Sequence, residues 1–427
     1  MRPQFAEPNS LTSSTVSKHK PLGGKLSGGA SLAALAAGLA LGGGVLTAPS
    51  AYALAGIVAT GSGPGALTVS APAPVSETSG DGIQATNNSP GTDLTVTATD
   101  VSGSQDGIDV RNNGTGSISV TTTGSVTGAT GRGIYGVNEN TGVNLTVSAA
   151  GVTGANDGIR VINRGSGATS VTATGMVTGT GRYGLHASNR GTDLTISTAS
   201  VSGVSRGIYA SNVGTGTLSV TTSGAVSGGT GAAIQTSSNT GSAVAITLLS
   251  TSSVRSTSGT AIVDGRGNAV VTINAGAVVN GSISLGAGND TLNIMAGASL
   301  AGVTALSGGS GSFVDTLNIN AGVAGAISDW EIMNVNAGGG NFTISGAISG
   351  AGTLTKSGTG TLTLSGTSHT HSGPTTVNGG RLVLAGSLAA DLTARHLTAL
   401  PRRTRVYVRL PNWLGDVVMA LPLLRAL

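Results

Sequence analysis

Apolar residues recur in three short alternating phrases between residues 80 and 239, and the set of three returns about every 25 residues, seven times over. The first phrase opens on Gly-Ile or its equivalent, at Gly82-Ile83, Gly107-Ile108, Gly133-Ile134, Gly158-Ile159, Gly184-Leu185, Gly207-Ile208 and Ala233-Ile234. The second includes Leu94-Thr95-Val96, Ile118-Ser119-Val120 and Leu218-Ser219-Val220, and the third is Val-Ser/Thr-Gly from Val101, Val126, Val152, Val177, Val201 and Val226. Alternation of period 2 predicts strands, so each repeat reads as three strands and three turns. In the first strand Ile83, Ala85, Ile108, Val110, Ile159, Val161, Ile208 and Ala210 are expected to face in. Gln84, Asp109, Tyr135, Arg160, His186 and Tyr209 are then expected to face out.

A coil this thin cannot bury its apolar side alone, so identical coils must stack and pair their backbones at about 4.8 Å. The expected fold is all-β: a right-handed parallel β-helix, or solenoid. Asn87, Asn112, Asn138, Asn163, Asn189 and Asn212 stand five residues after the first glycine of their copies, with Ser238 in the seventh. They predict a stacked amide ladder at a turn, in the left-handed conformation that Asn tolerates. The third-strand valine precedes the next Gly-Ile by six or seven residues in strict alternation, which implies that a pair of coils was duplicated.

Around this array the chain divides into six parts. Residues 1–53 read as a signal peptide, with Lys18, Lys20 and Lys25, an apolar stretch over 31–46, and Ala51-Tyr52-Ala53 placing cleavage before Leu54. Residues 54–79, with Pro64, Pro72 and Pro74, read as an N-terminal cap or lead-in, and 80–260 as regular coils. Looser coils are expected over 261–340, a different repeat over 341–388, and a short β-α tail over 389–427.

Composition narrows the function classes. The chain has 72 Gly, 2% aromatic residues and no cysteine, which excludes disulfide staples and thiolate metal sites. The formal charge of +4 resides at the ends: residues 54–394 hold 11 basic and 15 acidic side chains. No nucleic-acid partner is expected of a mildly acidic array.

The repeat at 341–388 carries Thr359-Gly360-Thr361-Leu362-Thr363-Leu364-Ser365-Gly366, followed by Ser372-Gly373-Pro374-Thr375-Thr376-Val377-Asn378-Gly379-Gly380-Arg381-Leu382-Val383-Leu384. It resembles the autotransporter-associated β-strand repeat. With the leader and solenoid, the resemblance extends over residues 1 to about 388. It implies an exported passenger acting as a surface adhesin or structural protein, partnered by a host or bacterial surface ligand and by outer-membrane translocation machinery. No translocator barrel is expected in the tail, so the chain reads as truncated: cell surface or outer membrane for the family, periplasm for the chain as written. Arg405-Val406-Tyr407-Val408-Arg409-Leu410 and Pro411-Asn412-Trp413-Leu414-Gly415-Asp416 resemble the first strand and loop of lipopolysaccharide heptosyltransferases, which implies Asp416 as a catalytic base only within a complete enzyme.

Candidate chemistry is sparse. Asp81, Asp106 and Asp109 raise the alternative of a passenger enzyme acting on polysaccharide, which needs a second carboxylate across a cleft. A surface row in which Arg132 stands between Asp106 and Asp157 accounts for them without catalysis. Gly286-Ala287-Gly288-Asn289-Asp290-Thr291-Leu292 matches a calcium-type half-turn and makes Asp290 a calcium candidate, although an ordinary turn is favoured. His369-Thr370-His371 reads as an exposed turn, since no third metal ligand is placed. No cofactor and no catalytic residue are expected, and Tyr135, Arg160, His186 and Tyr209 are the binding candidates.

Overall fold

In the computed structural model the described residues are 40–41, 44–47, 54–385 and 387–388. The expected signal cleavage site and the tail with Asp416 lie outside them. The described residues form strands without a helix. Strand pairing is parallel, and the chain winds as a β-solenoid of about 13 turns.

Three columns of side chains fill the interior. The first runs Ile83, Ile108, Ile134, Ile159, Leu185, Ile208 and Ile234, each opposite the next across a parallel pair. The second runs Leu94, Ile118, Leu145, Thr169, Leu194, Leu218 and Val244. The third holds the valines from Val101 to Val226 and then Val254. These columns are continuous with one apolar core from Ile57 to Leu364. Burying each large aliphatic side chain contributes about 1.5–3 kcal/mol before ordering costs. Thr169 is the polar member of its column, and its hydroxyl donates to Asn189 Oδ1 at 2.9 Å.

The glycine of Gly-Ile is set by close approach. A Cβ on Gly107 would lie 2.6 Å from both the Gly133 carbonyl and Val126 Cγ1, so a side chain would push successive coils apart.

Residues 54–79 are a full coil rather than a lead-in. Ile57–Gly61, Leu67–Ala71 and Val75–Ser76 pair in register with Ile83–Asn87, Leu94–Ala98 and Val101–Gly103. The prolines fall between these strands, where no ladder N–H is needed. The ladder also reaches into the stretch expected as signal peptide: Ala40–Leu41 pairs with Thr60 and Gly61, and Gly44–Thr47 with Leu67 to Ser70.

The asparagines do not adopt the left-handed conformation. Among described non-glycine residues positive φ is confined to Asp329, and Asn87, Asn112, Asn138, Asn163, Asn189 and Asn212 each end an extended strand with the side chain buried. Side chains at period 2 point inward at this position, so each amide replaces an apolar residue and must find partners inside. Asn112 donates to Asn138 Oδ1, Asn163 to Asn189 Oδ1 and Asn189 to Asn212 Oδ1, each at 3.1 Å.

Past residue 260 the coils shorten. Thr291–Ile294, Thr316–Ile319, Ile332–Asn336, Thr353–Ser357 and Thr375–Val377 stack in one column. Phe342–Ile344, Thr361–Leu364 and Arg381–Leu384 form a separate three-stranded sheet.

Candidate functional site

The outer face of the first-strand sheet concentrates what chemistry the coils possess. Register places Gln84, Asp109, Tyr135, Arg160, His186, Tyr209 and Gln235 in one row, one residue per coil. Three residues earlier in each coil stand Asp81, Asp106, Arg132, Asp157, Tyr183 and Arg206, of which Arg132, Tyr183 and Arg206 reach over the same face. The two rows interlock. Arg132 packs over the Tyr135 ring at 4.0 Å and reaches Asp106 at 3.4 Å and Asp157 at 4.0 Å. Arg111, two residues past Asp109, forks onto that carboxylate at 3.1 Å and also covers Tyr135 at 5.0 Å. Arg160 reaches Asp157 at 3.7 Å.

Further along, three rings meet: Tyr183 and His186 edge-on at 5.2 Å, His186 and Tyr209 at 5.0 Å, and Tyr183 and Tyr209 at 5.8 Å. The two contacts to Tyr209 cross to the next coil and follow the coil spacing, whereas Tyr183 and His186 stand three residues apart in one strand. Arg182 lies over Tyr183 at 4.5 Å, and Arg206 lies 5.6 Å and 5.4 Å from the Tyr183 and Tyr209 rings. Both guanidiniums donate to the Tyr183 hydroxyl, at 3.3 Å from Arg182 and 3.1 Å from Arg206. Burial, reinforced by Arg160, Arg182 and Arg206, pulls the His186 pKa down to about 4, so the ring is neutral at pH 7 and adds no charge to the strip.

The row before Gly-Ile is not the exposed ion row expected from sequence. Asp157 is fully buried, and these carboxylates take backbone donors from the next coil. Asp81 Oδ1 accepts from Asp106 N at 2.9 Å, Asp106 Oδ1 from Arg132 N, and Asp157 Oδ1 from Tyr183 N at 3.2 Å. An aspartate here therefore ties one coil to the next, which occupies all three acids in structural roles. Desolvation raises the pKa of Asp81 and Asp109 against the pull of their partners.

Sequence reasoning picked Tyr135, Arg160, His186 and Tyr209 and missed Arg111, Arg182, Tyr183 and Arg206 as members of the same strip. The constant offset of three residues puts Tyr183 and Arg206 in a parallel row, but Arg111 and Arg182 stand outside that offset, and spacing alone does not show that the two rows meet.

Asp290 belongs to a second column. Its Oδ1 accepts from Ala269 N at 2.6 Å, Asp315 Oδ1 accepts from Asp290 N at 2.8 Å, and Glu331 Oε2 accepts from Asp315 N at 2.8 Å. Here each acid reaches back to the preceding coil, the reverse of Asp81, Asp106 and Asp157. Burial is the main reason that Asp290 is pushed up to about 7 and Asp315 to about 6, with nearby acids adding to it. Among the described residues no cluster of three or more His, Cys, Asp or Glu is arranged to hold a metal ion.

His369 and His371 are buried, contrary to the exposed turn expected. The alternation Ser-His-Thr-His puts both rings on one face. His369 Nδ1 accepts from Ile348 N at 3.2 Å, and His371 Nε2 bonds Thr375 Oγ1 at 2.9 Å. Nearby, the buried Lys356 ammonium donates to the carbonyls of Ser357 at 2.6 Å, Gly358 at 2.9 Å and Gly379 at 2.9 Å.

Residues 354–384, which include these three side chains, match the family model described as Passenger-associated-transport-repeat. No curated protein and no solved structure matches the chain, and the resemblance of the tail to heptosyltransferases finds no support there. The repeat and the β-solenoid together fit an autotransporter passenger, a class that is exported or held at the cell surface.

Proposed function

We propose that this chain is an exported autotransporter-type passenger that works at the outer membrane or beyond as an adhesin, with a non-catalytic solenoid presenting the Arg/Tyr strip to a surface ligand. The observation that carries the reading is the junction of a long parallel solenoid with a passenger-associated repeat at residues 354–384. The strip supports the adhesive part, because it gathers Tyr135, Tyr209 and the arginines over the buried Tyr183 on one face of a coil array otherwise dominated by small side chains. The carboxylates that would serve a polysaccharide-cleaving enzyme are engaged with backbone N–H groups and Arg111.

Fractionation of cells producing the full chain tests export. The protein should be recovered outside the inner membrane with Leu54 as its first residue. Recovery only from the cytosol, with residues 1–53 attached, would sink the proposal. Adhesion is tested separately, by comparing the attachment of cells to surfaces coated with purified chain or with an unrelated protein.

A further inference from the structure

Charge is unevenly divided along the strip. Its first part holds Asp81, Asp106 and Asp109 against Arg111 and Arg132, whereas its second holds Asp157 against Arg160, Arg182 and Arg206. Asp157 is already shared between Arg132 and Arg160. Among the described residues, Arg182 and Arg206 have no carboxylate within ion-pair distance. Their forks are fixed by the Tyr183 hydroxyl and, for Arg206, by the Gln235 side chain. Fixing a guanidinium on rings lowers the entropy it loses on meeting an anion, and its planar fork suits a carboxylate better than a lysine would.

The geometry points to an acidic oligosaccharide with one carboxylate per sugar as the ligand of this strip, held by Arg160, Arg182 and Arg206 on three successive coils. The inference rests on the adhesive reading and specifies its ligand class. Three coils at about 4.8 Å place the outer two cations about 10 Å apart along the stack, with Arg160 three residues further along its strand than Arg206 and its guanidinium leaning back toward Asp157. That distance matches two or three sugars of an extended chain, which advances per sugar by nearly one coil spacing. A nucleic acid is the less suited polyanion: its affinity comes from roughly six to ten phosphate contacts, and the acidic first half of the strip interrupts any longer track. Base stacking is disfavoured as well, since Tyr183 is buried under Arg182.

Titration calorimetry on the purified full chain tests this with trigalacturonate, the neutral trimer maltotriose and a short single-stranded oligonucleotide. Trigalacturonate should bind, more weakly as salt is raised, and maltotriose should not. The double variant Arg182→Gln with Arg206→Gln should bind trigalacturonate at least about tenfold more weakly. Arg190→Gln, an exposed change off the strip, should bind as the parent does. Circular dichroism checks that the double variant retains its sheet. If it does not, Arg182→Lys with Arg206→Lys, which keeps the charge and removes the fork, should show an intermediate loss.

No binding of trigalacturonate, equal binding of maltotriose, tighter binding of the oligonucleotide, or parental affinity in whichever double variant folds would each overturn the inference. A chain that is exported and adhesive yet fails these tests would leave the passenger reading intact and remove only the ligand class.

Discussion

Replacing Asn163 with Val should destabilise the middle of the solenoid by about 2–4 kcal/mol, because the new side chain fits the space and cannot serve its partners. The Asn163 amide is fully buried and donates to the Val143 carbonyl at 3.0 Å, the Gly167 carbonyl at 3.2 Å and Asn189 Oδ1 at 3.1 Å. Its oxygen accepts from Gly165 N at 3.1 Å. Asn189 Oδ1 keeps a second donor in Thr169, so its loss is small. The Gly165 N–H keeps no partner that Val can supply, and an orphaned buried donor costs about 1–3 kcal/mol, with the abandoned carbonyls adding to it. Ser238 holds the same register position but bonds only to the Asn239 carbonyl, at 3.3 Å. Ser238→Val should therefore cost under about 1 kcal/mol. Since a long repeat array need not unfold in one step, global midpoints should be paired with amide hydrogen exchange. Gly165 should lose protection in Asn163→Val while amides past residue 260 keep theirs. Equal denaturant midpoints for the two variants, with Gly165 still protected, would refute the ladder as a source of stability.

Three further outcomes follow from buried charges. Asp290 and Asp315 have pKa values raised to about 7 and about 6, so the stability they confer is full below their unfolded values near 4 and is lost as pH rises through 6–7. Asp290→Asn should thus gain on the parent by up to about 3 kcal/mol at pH 8 and by under about 1 kcal/mol at pH 5, measured as the variant-minus-parent difference in urea midpoint. A pH-independent difference would contradict this. Asp157→Asn should destabilise by about 1–3 kcal/mol, because it leaves Arg132 and Arg160 without their shared carboxylate; a thermal midpoint equal to the parent's would contradict it. Lys356→Met should cost about 2–3 kcal/mol and open the coils around residues 354–384 to limited proteolysis, leaving the first coils resistant.

The solenoid was legible in the sequence because each coil repeats the same inward residues, and parallel stacking turns a repeat of about 25 residues directly into register. The coil over residues 54–79 escaped notice although Gly56-Ile57-Val58-Ala59 parallels Gly82-Ile83-Gln84-Ala85. Its ladder position holds Gly61 instead of Asn, so the residue that marks the later coils is missing from this one. The asparagines were placed correctly along the chain but in the wrong backbone state, since a composition rule for turns was applied to a position where period 2 already demanded an inward side chain. Among site residues, the row containing Tyr135, Arg160, His186 and Tyr209 followed from alternation alone. The partners Arg182, Tyr183 and Arg206 did not, because their lean over the sheet depends on how each turn enters its strand. The two directions of carboxylate capping were likewise invisible, since spacing gives which coils are neighbours and not which one supplies the acid.

Lys356 has a chemical consequence beyond its hydrogen bonds. It is the only lysine between residues 54 and 427, and its ammonium is buried against three carbonyls. Every other fixed positive charge in that span is an arginine. In a chain cleaved before Leu54, as the proposed export requires, an amine-acylating reagent therefore meets a folded surface with no lysine to modify, leaving the α-amino group as its target. Acylation of Lys356 then times the opening of the coils around it, one residue reporting on one end of the array, without any engineered probe.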